Sequence, residues 1–193
     1  AAYIAERIGP SLKDRVDRAS LLAKADLDTQ MVGEFSELQG IMGREYALLA
    51  GEDPAVAKAI YEHYLPVTAG GNLPETHEGA IVSIADKMDT IAGFFGVRLV
   101  PTGTADPYAL RRQALGIINI ILEKRYPLML EDLVSTSLAI LDGKMTRPAE
   151  ETAKDVLEFF RGRLENMLIS QGHPQDVVSA VLASGFSDLV QVI

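Results

Sequence analysis

The sequence predicts an all-α protein. Apolar residues recur at spacings of three and four along much of the chain, which puts them on one face of a helix. Asp53-Pro54, Asp106-Pro107 and His173-Pro174 each set a capping side chain before a proline. Proline suits the first helical position because it has no N–H to leave unbonded, and the cap accepts a free backbone donor. No segment alternates apolar and polar residues with the period of a strand.

The elements follow in order. Ser11 and Asp14 resemble a capping box with Asp in place of Glu, so a helix is expected to start there. Phe35, Leu38, Met42, Tyr46 and Leu49 fall on one helical stripe. Gly33, Gly40 and Gly43 lie within the same pattern. A helix-interior glycine costs roughly 1 kcal/mol against alanine, an expense offset by close approach of another helix or, less readily, by a ligand surface. Asp53-Pro54 opens the next helix. Val67 to Thr76, with Gly70, Gly71, Asn72 and Pro74, reads as a loop.

The stretch Ile84 to Leu122 reads as helix, loop, helix with one polar face. Ile81, Ile84, Ala85, Met88, Ile91, Ala92 and Phe95 form the first apolar stripe, and Asp86, Lys87 and Asp89 provide the charge. Pro101, Thr102 and Gly103 form a hinge, and Asp106 and Pro107 open the second helix. Leu115, Ile117, Ile118, Ile120, Ile121 and Leu122 cover most of that helix's circumference, which predicts a central, buried position. A second loop runs from Asp142 to Pro148, and a soft boundary there separates a main body, 1–142, from a C-terminal helical segment, 143–193. Val156, Phe159, Phe160, Leu164, Met167 and Leu168 form the last long stripe, and Gly172 stands where that helix should stop.

Composition limits the function. The 193 residues suit one domain, or one with a small second piece. Hydrophobic residues make up 48% and aromatics 6%, and tryptophan is absent, so the core is aliphatic. A net charge of −9 opposes bulk binding to nucleic acid, though it leaves room for a local basic patch. The lack of cysteine excludes disulfides and thiolate metal sites and accords with a cytoplasmic location. Ala1 to Arg7 has no secretory h-region. The longest apolar run, Gly79 to Val100, contains Asp86, Lys87, Asp89 and Arg98, which argues against a membrane span. The chain opens without methionine, on residues that already look helical, and a piece of a longer protein is expected.

Three constellations could carry chemistry. Asp26, Asp28, Glu34, Glu37, His63, His77, Asp86 and Asp89 could supply ligands to a divalent ion that activates water. The structural alternative makes Asp26 and Asp28 a capped helix start, Glu34 and Glu37 a solvated face, and the histidines loop or helix-end residues. No His-Asp dipeptide occurs. The second constellation is basic. Between Arg98 and Arg125 lie Arg98, Arg111, Arg112, Lys124 and Arg125 against Asp106 and Glu123, a local excess of +3 in an acidic chain. Such a patch can mark a phosphate-contacting surface. Equally, Lys124 and Arg125 could serve a helix C-terminus, and Arg111 and Arg112 could pair with acids. The third is the glycine set already described. Neither G-x-G-x-x-G nor a P-loop pattern is present.

Several strings add a resemblance. M-V-G-E-F-S-E-L-Q-G-I-M-G-R-E-Y-A (31–47), A-I-Y-E-H-Y-L-P (59–66), I-A-D-K-M-D (84–89), P-T-G-T-A-D-P-Y-A-L-R-R-Q-A-L-G (101–116) and F-F-R-G-R-L-E-N-M-L (159–168) resemble, in order, the bacterial glycyl-tRNA synthetase beta subunit. The resemblance implies a heterotetramer of two alpha and two beta subunits that joins glycine to tRNA(Gly). ATP, with magnesium, is expected on the alpha subunit, and no cofactor is expected in this segment. The chain would be an interior fragment of the beta subunit, cytoplasmic and without membrane contact. It would be a helical domain related to the HD phosphohydrolases, followed by helices leading toward an anticodon-binding domain absent from this chain.

Within that resemblance, Asp86 falls at the superfamily's final metal-binding aspartate, and Lys24, Ala25 and Asp26 fall near its His-Asp doublet. The doublet's histidine is absent. Its loss would remove a ligand and the geometry needed for metal-bound hydroxide, which implies a scaffold with no catalytic residue and no metal. A tRNA-positioning or structural role is expected, with Arg98, Arg111 and Arg112 as phosphate contacts that position RNA without reading its sequence. The competing expectation is a divalent-metal phosphohydrolase using His63, His77 and Asp86.

Overall fold

A computed structural model describes residues 1–101 and 106–193. Thr102 and Gly103 of the expected hinge lie outside the described residues. Among those described there are eleven α-helices and no strand, with a single β-bridge between Met129 and Asp188. The fold is all-α, as the periodicity predicts. The chain divides into two compact units, Ala1–Asp86 and Lys87–Ile193.

The first unit holds α1 (Ala2–Ile8), α2 (Lys13–Leu22), α3 (Gln30–Glu34), α4 (Ile41–Leu49), α5 (Pro54–Glu62) and the first half of α6 (His77–Gly96). Its centre is α5, which packs on α2 and α4. Small residues make the approach close: Ala19, Ala47 and Ala57 are buried beside Val16, Val56 and Ile60. Gly43 is required there, since a Cβ would meet Ile60 Cγ2 at 2.8 Å. Asp53 caps α5 through Ala55 N at 2.8 Å, with Pro54 as its first residue. The loop from Val67 to Thr76 is held by Glu62, which is buried. Glu62 accepts from Glu75 N at 3.2 Å, Thr76 N at 3.0 Å and Thr76 Oγ1 at 2.5 Å.

Several local expectations for this unit are corrected. α2 begins at Lys13 after a 3-10 turn over Pro10–Leu12, and no side chain caps it, so Ser11 and Asp14 form no capping box. Gly33 and Gly40 do not share a helix: Gly33 is in α3, and Gly40 (φ +76°) precedes α4. The stripe Phe35 to Leu49 is no core face either. Phe35 and Tyr46 are exposed and Leu49 is 85% exposed, whereas α4 buries Gly43 and Ala47. Period alone gave the wrong side because α4 meets α5 through its smallest residues.

The second unit holds the rest of α6, then α7 (Leu110–Lys124), α8 (Leu130–Ile140), α9 (Ala149–Ser170), α10 (Gln175–Ser184) and α11 (Leu189–Val192). Ile117, Ile118, Ile120 and Ile121 are fully buried, so α7 is central, as expected. It packs on α9 and α11, and α9 also packs on α8 and α10. Val156, Phe160, Leu164 and Leu168 form the buried face of α9, and the Phe159 ring lies 5.1 Å from that of Phe95. Gly172 (φ +98°) follows the end of α9. Two helix starts are displaced from expectation. Pro107 lies in a turn before α7, and α10 begins at Gln175, after Pro174 rather than at it.

Candidate functional site

Asp86 is half-buried on α6 in the first unit, and Lys24 Nζ lies 2.5 Å from its Oδ1. The carboxylate is therefore balanced by an ammonium of the same chain. Asp26 is 2% exposed. Its Oδ2 accepts from Gly40 N at 2.6 Å and Gly43 N at 3.1 Å. Asp26 thus caps α4 from fourteen residues upstream of Gly40, rather than opening its own helix. Tyr64 lies against Gly40, where a Cβ would meet its ring at 2.5 Å. Burial, with added push from the Asp26 and Asp86 carboxylates, raises the Tyr64 phenol to about 12.

The other proposed ligands are dispersed. His63 is fully buried and its Nδ1 lies 2.6 Å from Ile60 O. His77 is exposed at the start of α6, and Asp28, Glu34, Glu37 and Asp89 are also exposed. Among the described residues no three His, Asp or Glu side chains could hold a metal ion together. His63, His77 and Asp86 therefore do not form the site the phosphohydrolase expectation needs. A divalent ion does not fit here: Ala25 offers no donor, and Lys24 already faces Asp86.

The arginines lie in the second unit. Arg98 is exposed and left-handed (φ +64°) just beyond α6. Its N–H donates to Phe95 O at 3.2 Å, and Leu99 N–H donates to Phe94 O at 2.9 Å. This is a Schellman ending with arginine where glycine is usual. Arg125 (φ +51°) repeats it at the end of α7, with Arg125 N–H on Leu122 O at 3.2 Å and Tyr126 N–H on Ile121 O at 3.0 Å. Arg111 and Arg112 sit in the first turn of α7, where Asp106 Oδ1 accepts from Leu110 N at 2.8 Å and Oδ2 from Arg111 N at 2.9 Å. The Asp106 carboxylate thus answers the positive end of the helix and does so through backbone. Arg111 is half-buried and Arg112 exposed.

Most arginines elsewhere have carboxylate partners: Arg15 with Asp53, Arg18 with Glu52, Arg44 with Glu45, Arg147 with Asp155, Arg161 with Glu158; Arg7 and Arg163 lie over the Tyr3 and Phe159 rings instead. Arg98, Arg112 and Arg125 form no ion pair among the described residues. The positive-φ arginine endings had no signal in the sequence, since glycine is what marks such an ending.

These features define an all-α protein with an internally neutralised acidic centre and with arginines at helix ends, Arg98, Arg112 and Arg125, that form no ion pair among the described residues. A family model described as "Glycyl-tRNA synthetase beta subunit" matches residues 1–183, and the chain belongs to that family. It is 82% identical over all 193 residues to the glycine–tRNA ligase beta subunit of Syntrophus aciditrophicus, covering 28% of that protein. It is 60% identical to that of Syntrophotalea carbinolica, again over the whole chain and 28% of the relative. With the Geobacter sulfurreducens protein it shares 59% over 190 residues, 98% of this chain and 28% of the relative. The chain thus spans little more than a quarter of the length of these curated relatives. Among the described residues no helix is long and apolar enough to cross a membrane.

Proposed function

We propose that the chain is a non-catalytic helical part of a heterotetrameric glycine–tRNA ligase, and that it positions tRNA(Gly) through arginine–phosphate contacts. The parent enzyme joins glycine to its tRNA with ATP. ATP and magnesium would be bound by the alpha subunit, in an assembly of two alpha and two beta chains in the cytoplasm. Residues 1–142 would correspond to a hydrolase-like module that has lost its metal chemistry, with Asp86 at the old ligand position. Residues 143–193 would lead toward an anticodon-binding domain.

The observation that carries the reading is the commitment of the cations. In a chain of net charge −9, Arg98 and Arg112 stay exposed and outside any ion pair among the described residues, while most arginines elsewhere have carboxylate partners. Arg98 also keeps a left-handed backbone, which costs a non-glycine residue roughly 1–2 kcal/mol. Cations at exposed helix ends suit phosphate contact, which supplies affinity without base readout. Arg111 joins them as the neighbour of Arg112.

The test is tRNA binding by the whole enzyme across a salt series. The Arg98→Ala, Arg111→Ala, Arg112→Ala variant should bind more weakly. Its log–log salt slope should fall by roughly one for each phosphate that is no longer neutralised. An unchanged slope and affinity would return the segment to a purely structural role. Stoichiometric metal together with nucleotide hydrolysis in the purified chain would instead revive the phosphohydrolase reading.

A further inference from the structure

We propose that Arg125 is a further RNA-backbone contact, which makes α7 a strut between two phosphate anchors. The inference deepens the tRNA role proposed above and rests on it. All the residues involved lie in the second unit.

Three non-glycine residues among those described have a positive φ, and two of them are Arg98 and Arg125. Each follows the end of a long helix and each is exposed. Neither forms an ion pair among the described residues. A left-handed residue with a Cβ is strained, and glycine would end either helix without that strain. Strain of this kind, kept where glycine would relieve it, gathers at functional positions.

Stability does not account for Arg125. A cation at a helix C-terminus is favoured by the dipole, but that attraction is smaller than the left-handed strain. Lys124 already stands in the last turn of α7. The two hydrogen bonds of the ending are backbone bonds, from Arg125 N–H to Leu122 O and from Tyr126 N–H to Ile121 O, so they do not need the side chain. What the guanidinium adds is a planar set of donors that matches a phosphate.

Its place follows from the fold. The Phe94 and Tyr108 rings lie 4.3 Å apart. The end of α6, which leads into Arg98, therefore lies beside the start of α7, which carries Arg111 and Arg112. Arg125 stands at the far end of α7, thirteen residues beyond Arg112, which is about 20 Å along a helix. Between them Ile117, Ile118, Ile120 and Ile121 are fully buried, so the core holds that separation fixed. Each strand of a duplex carries a phosphate about every 3.4 Å of axis. Anchors this far apart engage one short duplex arm and set its direction as well as its place.

The test sets binding against stability. Arg125→Gly relieves the strain, so the melting temperature should hold or rise while tRNA(Gly) binding by the whole enzyme weakens. The expected loss is about three- to tenfold at 0.1 M salt, with a log–log salt slope lower by roughly one. Arg125→Gln keeps the strained backbone without the charge and should lose as much affinity. If the Gly variant weakens binding and the Gln variant does not, backbone freedom is the cause and the proposal fails. It also fails if affinity and stability fall together in the Gly variant, because Arg125 then serves the fold. Unchanged affinity and slope in both variants, with weaker binding by the Arg98→Ala, Arg111→Ala, Arg112→Ala variant, overturns this contact and leaves the earlier reading standing. Unchanged binding in all three overturns both.

Discussion

Asp26 and Lys24 sit two residues apart and do different work. Asp26 satisfies two backbone amides at the start of α4, whereas Lys24 balances Asp86. Removing Asp26 should therefore cost more. Asp26→Ala leaves buried donors unbonded and should destabilise by about 2 kcal/mol in urea unfolding. The Lys24 side chain is 49% exposed, so Lys24→Met should cost about 1 kcal/mol or less. Tyr64 gives a pH signature. Its phenol is raised from 10 to about 12 in the folded state, so folding favours the neutral form. The contribution is intact below pH 10 and is lost as pH rises toward 12, where the unfolded chain ionises first. Tyr64→Phe should flatten the decline in stability over that window, and an unchanged alkaline limb would refute this environment for Tyr64.

At the scale of elements, small residues and helix ends decide more than stripes do. Gly43→Ala drives a methyl into Ile60 and should destabilise by about 1–3 kcal/mol. Gly162 lies inside α9, and a Cβ there would meet nothing within 4 Å, so Gly162→Ala should stabilise by about 1 kcal/mol. Arg125→Gly should also stabilise, by about 1 kcal/mol, because glycine is unstrained at φ +51°. Thermal unfolding of the three variants checks the signs together. The long helices α6, α7 and α9 were legible in the sequence because their large apolar residues mark the buried face. The α4 face was not, because Gly43 and Ala47 make the contact while Phe35, Tyr46 and Leu49 remain in water. The Asp106 cap was legible as chemistry but not in position, since the turn at Pro107 moves the helix start to Leu110.

At the scale of the molecule, the fold class followed from periodicity, and the family followed from ordered strings that the full-chain comparisons match. Composition could not have supplied the distribution of charge. A net −9 speaks against RNA, and only the ion-pair pattern shows which cations have carboxylate partners among the described residues. The acidic centre was partly legible: the missing histidine could be read directly, whereas Lys24 facing Asp86 needed the fold to join residues sixty-two positions apart. The most direct measurement is steady-state glycylation by the assembled enzyme carrying Arg98→Ala, Arg111→Ala and Arg112→Ala, alongside glycine-dependent ATP–pyrophosphate exchange. A raised KM for tRNA(Gly) with unchanged exchange is the predicted result; an unaltered KM for tRNA(Gly) would contradict it.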